Sequence, residues 1–191
     1  MTVIYWVRHG PTHEKTFVGH RDVPADLSDT AQIARLSAAL PANALVVSSD
    51  LARSIDTATA LQGTRRRLPH RIGLREFDFG DWDGLHFGEV AEKWPDLSRA
   101  YWENPGDVAP PNGESWNAAA ARVTADITQV AAENPRRDII AVAHFGAILT
   151  QVAQAAGIAP YRALSHRIDN YSVTEIQMRP TWGVARINHV L

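Results

Sequence analysis

The chain has no cysteine among its 191 residues. Disulfides, thiolate zinc sites and cysteine nucleophiles are therefore excluded outright. It has no excess of one charge, the formal net charge being -2. That removes the electrostatic footprint of a nucleic-acid binder or a polybasic membrane segment, so any anion site has to be local. No apolar run approaches the ~20 residues needed to cross a bilayer. The first residues, Met-Thr-Val-Ile-Tyr-Trp-Val-Arg, show neither a basic leader nor a small-residue cleavage site. A soluble, cytoplasmic protein is the expectation, with no nucleic-acid or membrane partner and as a monomer or homodimer.

What the sequence does have is ordinary globular material, 45% hydrophobic and 21% charged, enough for a substantial core. The length suits a single domain over 1–191, with residues 85–112 as a lid-like excursion carrying Trp94 and Trp102. Val3–Val7 and Asp138–Ala143 are apolar runs that predict strands covered on both faces. Ala44–Val47 predicts a further strand, and Ile72–Leu74 a short one. Between them the periodicity predicts helices: one capped by Ser28 and ended by Pro41, then Leu51–Leu61, Glu114–Glu133, and Ala147–Ala156 closed by Gly157. Tyr171–Met178 and Trp182–Val190 flank Pro180 and predict an antiparallel hairpin. The expected fold is α/β: a three-layer α/β/α sandwich with a mostly parallel sheet, a C-terminal hairpin and a short lid insertion.

Chemistry gathers where predicted strands end. Arg8-His9-Gly10 follows the first, Ser48-Ser49-Asp50 with Arg53 follows the second, and His144 follows Val142-Ala143. Ligands of open α/β sheets bind outside the carboxyl ends of the strands. Parallel neighbours would thus bring two histidines and two arginines to one pocket. An arginine in a helix's first turn is unfavourable by itself, because that end already carries partial positive charge. It makes sense with a dianion between the two guanidinium forks, which bind phosphate bidentately. Neutral imidazole is a competent nucleophile near pH 7, which gives His9 a role. A protonated His144 would donate to the phosphoryl oxygens. Glu76, in "LREFDFGDWDG" (74–84), leads as the acid for the leaving oxygen, with Asp78, Asp81 and Asp83 as competitors. His9 and His13 also stand four apart, but Pro11 between them breaks a helix and no carboxylate cluster accompanies them, so neither a metal nor another cofactor is expected. Arg65-Arg66-Arg67 reads as a solvated turn. Most of Trp82, Trp94, Trp102 and Trp116 read as packing groups.

These blocks resemble, in order and over nearly the whole chain, the histidine phosphatase superfamily in its phosphoglycerate-mutase-like branch. Arg8-His9-Gly10 with Thr12 is similar to its signature, and "SSDLARSIDTA" (48–58) to its second-arginine segment. "LREFDFGDWDG" is similar to its acid loop, "NGES" (112–115) to a turn that starts a helix, and "AVAHFGAI" (141–148) to the segment of the second histidine. The resemblance implies a phosphohistidine at His9, a phosphoryl group held by Arg8, Arg53 and His144, and proton transfer by Glu76. It also implies phosphate contacts at Thr12, at Lys15 (where the family usually has Asn) and at the amide of Phe145 (where it usually has Gly). Thr30 stands in place of another usual Gly. The implied function is hydrolysis of a small phosphorylated metabolite, as in small bacterial phosphatases of the alpha-ribazole and broad-specificity types. A mutase and a catalytically weak phospholigand-binding protein are the alternatives. The short excursion favours hydrolysis over a mutase, which needs a closed site.

Overall fold

The computed structural model describes residues 2–178 and 180–191. Met1 and Arg179, inside the single domain expected over 1–191, lie outside the described residues. Strands form at β1 (Thr2–Arg8), β2 (Leu45–Ser48), β3 (Ile139–Ala143), β4 (Val173–Met178) and β5 (Gly183–His189). Helices form at α1 (Thr30–Ala39), α2 (Ala52–Gln62), α3 (Phe87–Lys93), α4 (Pro95–Glu103), α5 (Trp116–Glu133), α6 (Phe145–Ala156) and the single turn α7 (Pro160–Ala163).

The strands join in one sheet of order β2-β3-β1-β4-β5. β2 pairs with β3, and β3 with β1, in parallel; β1 with β4, and β4 with β5, pair antiparallel. The sheet is therefore mixed, and the expectation of a mostly parallel one holds only in its β2-β3-β1 half. The hairpin adds its first strand, which follows α7, antiparallel to β1, and β5, joined to β4 by a short connection, runs antiparallel to it in turn. Alternation along the strands explains the layers. Ile4, Trp6, Ile139 and Ala141 belong to one buried cluster with Val123 and Ile127 of α5 and Ile148 and Val152 of α6. Val7, Ile140 and Val142 belong to a second, with Ile33 and Leu36 of α1 and Ala58 and Leu61 of α2. Both faces are covered, which is why these strands read as continuous apolar runs.

Four local readings are corrected. Ile72–Leu74 is a 3-10 turn, not a strand. Its Ile72 is exposed, and Gly73 is pressed against the side chain of Asp126. The open edge of β2 is met instead by the segment before it, where Val46 N–H donates to Arg66 O at 3.0 Å and Leu68 N–H to Val46 O at 2.8 Å. The N-cap of α1 is Asp29, not Ser28: its carboxylate accepts from Gln32 N–H at 3.0 Å. Helix α6 begins at Phe145, two residues before the predicted start, because its first amides find a partner from far along the chain. Finally, Arg65-Arg66-Arg67 is not a solvated turn. Arg65 is buried, and its guanidinium donates to the carbonyls of Ser37, Leu40, Pro41, Leu61 and Gln62, tying together the C-terminal ends of α1 and α2.

Candidate active site

The parallel half of the sheet sends the carboxyl ends of β1, β2 and β3 to one edge. There His9 N–H donates to Ala143 O and Ser49 N–H to Val142 O, both at 3.1 Å, so the loops leave in register. A cavity of about 350 Å³ opens above them. Its polar wall holds Arg8, His9, Thr12, Arg53 and Glu76; its apolar wall is mainly Phe17, Phe79, Phe87, Trp102 and Phe145. Glu14 and Thr16 stand on it as well.

His9 is buried and its tautomer is set locally. Nδ1 lies 2.7 Å from Gly10 O, and a carbonyl only accepts, so Nδ1 carries the proton and Nε2 the lone pair. Burial first, then the nearby Arg53, push the pKa of His9 down to about 3. The ring is therefore neutral at physiological pH. Its backbone is clamped too: Asn170 Nδ2 donates to His9 O at 2.7 Å, and Gly10 N–H to Thr57 Oγ1 at 2.9 Å. A side chain at Gly10 would collide with the Tyr171 hydroxyl; that close approach explains the glycine behind the histidine.

Arg53 is wholly buried. It donates to Gly19 O at 2.7 Å, to Arg21 O at 3.0 Å and through Nε to His144 Nδ1 at 3.2 Å. Arg8 donates to Ile168 O at 2.6 Å and lies 5.5 Å over the Phe145 ring, while its buried Nε has no partner. Neither arginine is neutralised by a carboxylate in contact. Both guanidinium groups are thus cations at least partly removed from water.

His144, the second histidine expected at the site, stands beside His9. It is fully buried and does not line the cavity, although its ring stands 5.0 Å from that of His9. Because Nδ1 accepts from Arg53, Nε2 must carry the proton, which is shared with Ser49 Oγ at 2.7 Å and Ser54 Oγ at 3.2 Å. Burial and the adjacent Arg53 hold its pKa well below the ordinary value. The ring thus meets Arg53 through Nδ1 and two hydroxyls through Nε2; the sequence expectation is of a protonated ring donating to phosphoryl oxygens. Thr12 and Phe145 lie on the cavity wall, whereas Lys15 is exposed and off it. Phe145 occupies its position without a left-handed backbone, so the family's glycine is not required there.

Glu76 is buried at the N-terminus of α6, accepting from Gly146 N–H at 3.0 Å and Ala147 N–H at 3.2 Å, as well as from Phe77 N–H at 2.9 Å. This is the distant cap that starts α6 early. It also explains Gly146, whose Cβ would lie 2.6 Å from Glu76 Oε1. The competing aspartates are spent elsewhere: Asp78 accepts from Gly80 N–H, Asp81 from Asn112, and Asp83 from Gly19 N–H and Arg21. None of the three lines the cavity.

Several residues that hold this site were not found from the sequence. Asp50 forks onto Arg75 at 2.6 and 2.7 Å, immediately before Glu76. His20 Nε2 donates to Glu76 O at 2.9 Å. Arg122 donates to the carbonyls of Gly73, Arg75 and Glu76 while paired with Glu114. A signal for this brace did exist: Arg122 is the one cation of the alanine-rich α5, eight residues after the Glu114 of "NGES". His13 turns to Asp26, at 2.8 Å. Among the described residues, no three His, Asp or Glu side chains gather as metal ligands would. Among them also, no helix is long and apolar enough to cross a membrane.

The architecture is a mixed α/β sheet that brings a histidine, two arginines and a carboxyl to one edge. The family model "Histidine phosphatase superfamily (branch 1)" matches residues 4–189, and the chain belongs to that family. It is 26% identical to the adenosylcobalamin/alpha-ribazole phosphatase of Escherichia coli, over 96% of this chain and 94% of that protein. It is 33% identical to a glucosyl-3-phosphoglycerate phosphatase of Mycobacterium tuberculosis, over 74% of this chain and 70% of that one. The solved structure of Bacillus stearothermophilus YhfR matches with a TM-score of 0.90 at 25% identity, covering 100% of this chain and 98% of that one. Some curated relatives are much longer: the chain spans 40% of the Bifunctional protein Rv2228c of M. tuberculosis, at 32% identity.

Proposed function

We propose that the chain is a phosphomonoesterase that hydrolyses a small phosphorylated metabolite through a phosphohistidine at His9. One observation carries the reading. His9 is buried, neutral and locked with Nδ1–H on Gly10 O, leaving the Nε2 lone pair for attack at a cavity wall shared with Arg8 and Arg53, two guanidinium groups that no carboxylate among the described residues contacts. Relatives named as phosphatases support the same class of activity.

In the proposed reaction Nε2 attacks phosphorus and the bond from phosphorus to the ester oxygen breaks. The leaving alkoxide takes a proton from the Glu76 carboxyl. Positive charge that develops on the ring is met by Gly10 O at Nδ1–H. Arg8, Arg53 and the Phe145 amide steady the three phosphoryl oxygens, where phosphoryl transfer needs positioning and charge more than covalent help. Water then attacks the phosphohistidine, Glu76 accepts its proton, and inorganic phosphate leaves with His9 neutral again. The charge comes from guanidinium groups, and no metal takes part in any step.

His9→Ala should abolish turnover while the far-UV spectrum stays that of the wild type. Acid-labile, alkali-stable phosphate should be trapped on the wild type in the presence of EDTA. Substantial activity in His9→Ala, or no trapped phosphate under any quench, sinks the mechanism. For Glu76→Gln the readout is leaving-group dependence, because the substitution also removes an acceptor from the start of α6. An alkyl phosphate, whose alkoxide needs the proton, should lose at least about tenfold more of its rate than p-nitrophenyl phosphate. Equal losses in the phosphorylation step would remove Glu76 as the acid.

A further inference from the structure

The cavity is chemically lopsided beyond its phosphate end. The cations on its wall are Arg8 and Arg53, both at the polar end with His9. The rest is aromatic: Phe17 packs 4.4 Å from Phe87 and 4.9 Å from Phe79, and Trp102 lies nearly parallel to Phe17, at 18° and 6.2 Å between centroids. Phe87 is 59% exposed and Trp102 37%. Two large aromatics left in water at a cavity mouth mark a surface that gains by being covered. Phe17, Phe87 and Trp102 also wall a second cavity of about 430 Å³ that runs on between α3 and α4 past Val90 and Pro95. Arg99 and Glu103 on that cavity's wall offer one charge of each sign.

Apart from Arg8, Arg53 and Glu76, the charged group on the cavity wall is a carboxylate. Glu14 stands on the cavity wall and accepts from Arg21 at 3.1 Å, a hydrogen bond that holds its carboxyl below the usual range. Arg21 does not turn this rim positive, because it also bonds Asp83. One guanidinium between two carboxylates leaves negative charge in excess. Lys15 is off the wall.

We infer that the alcohol released by this site is an aromatic or apolar one without negative charge, recognised by the Phe17, Phe87 and Trp102 surface, and that Glu14 rejects substrates carrying a second anionic group. The inference rests on the phosphomonoesterase reading and narrows it. A phosphate dianion fits the two arginines, while a second phosphate or a carboxylate on the leaving group would face Glu14 with no further cation on the wall to answer it. Such rejection sets specificity as effectively as attraction does. It also bears on the mutase alternative, whose bisphosphate would bring a second dianion into the same space.

Three alkyl phosphates test this with leaving alcohols of broadly similar basicity: benzyl phosphate, glycerol 3-phosphate and 3-phosphoglycerate. kcat/KM should fall in that order, with about a tenfold step for the aromatic contact and about another tenfold for the charge. Trp102→Ala should lower the ratio of benzyl phosphate to glycerol 3-phosphate. Glu14→Gln should raise the ratio of 3-phosphoglycerate to glycerol 3-phosphate about tenfold. Ratios are read because a variant that only loosens the fold lowers all three rates together and leaves the ratios standing, a result that would remove these residues from the specificity surface. Hydrolysis of all three with 3-phosphoglycerate preferred overturns the inference, leaves the phosphatase reading intact and hands the second anion to Lys15. Hydrolysis of none of the three, nor of p-nitrophenyl phosphate, overturns both.

Discussion

Two arginines of this protein are almost completely removed from water, and they are used in opposite ways. Arg65 sits between the C-terminal ends of α1 and α2 and gives its donors to five carbonyls and the Ser37 hydroxyl. A cation there meets the negative ends of two helices at once, which is where a helix dipole favours it. Arg53 sits in the first turn of α2, where the dipole opposes it. It takes two carbonyls and a histidine nitrogen and still faces the cavity. Neither has a carboxylate in contact. Burial of a cation is thus no sign of function by itself. What separates the two is the sign of the local field: Arg65 meets the negative ends of two helices, and Arg53 stands on a cavity wall against a helix's positive end, the arrangement the proposed phosphate site would use.

That contrast is sharpest in variants that keep charge but lose the planar fork. Arg53→Lys should lower kcat/KM by about ten- to a thousand-fold, because a lysine cannot bridge phosphoryl oxygen, His144 and Gly19 O together, while the melting temperature moves little. A near-wild-type Arg53→Lys enzyme would put Arg53 outside the reaction and dissolve the comparison. Arg65→Met should do the reverse. It leaves buried carbonyls at two helix ends unsatisfied and should cost about 2–3 kcal/mol of stability, read by urea denaturation, with kcat/KM retained. An activity loss without a stability loss would show that the two helix ends report to the site. The smallest effect per unit of perturbation is that of pH. His9 and His144 are neutral in the folded chain, and each takes up a proton on unfolding once the pH is below about 6.5. Their contribution is complete above that value and drains away as the pH falls toward the folded-state value, about 3 for His9. The slope in that window is about 1.4 kcal/mol per pH unit for each histidine. His9→Ala should remove one such slope, and an unchanged slope would mean that His9 is not buried neutral. Arg65 does not titrate, so Arg65→Met should shift the stability curve without changing its pH dependence.

The parts of this protein legible in its sequence are those that local pattern controls. Continuous apolar runs at 3–7 and 138–143 gave central strands because both faces of the sheet are covered, and strand ends rich in Arg, His and Ser marked the edge where the site forms. Arg8, His9, Arg53 and Glu76 all reach one cavity wall from three separate segments. Failure came where the partner of a residue lies far along the chain. Three arginines in a row look solvated until α1 and α2 bring their carbonyls to Arg65. Ile72–Leu74 has strand-like residues but no neighbouring strand to pair with. His144 reads as a strand-end histidine until the fold surrounds it with Ser49, Ser54 and Arg53.

The sequence alone determined the chemical inventory: two histidines, two guanidinium forks and a carboxyl at the ends of buried segments, with no thiol among them. Covalent structure and short-range periodicity are enough to specify that much. Tertiary structure alone decided the surroundings of His9 and His144, which of four carboxyls reaches the cavity wall, and which charges line that wall. Those depend on burial and on field, and both are set by atoms contributed from dozens of residues away. Glu76 is the clearest case. The sequence puts it ahead of Asp78, Asp81 and Asp83, but the amides of Gly146 and Ala147 that fix its carboxyl at the cavity wall reach it only after α6 has packed against the sheet.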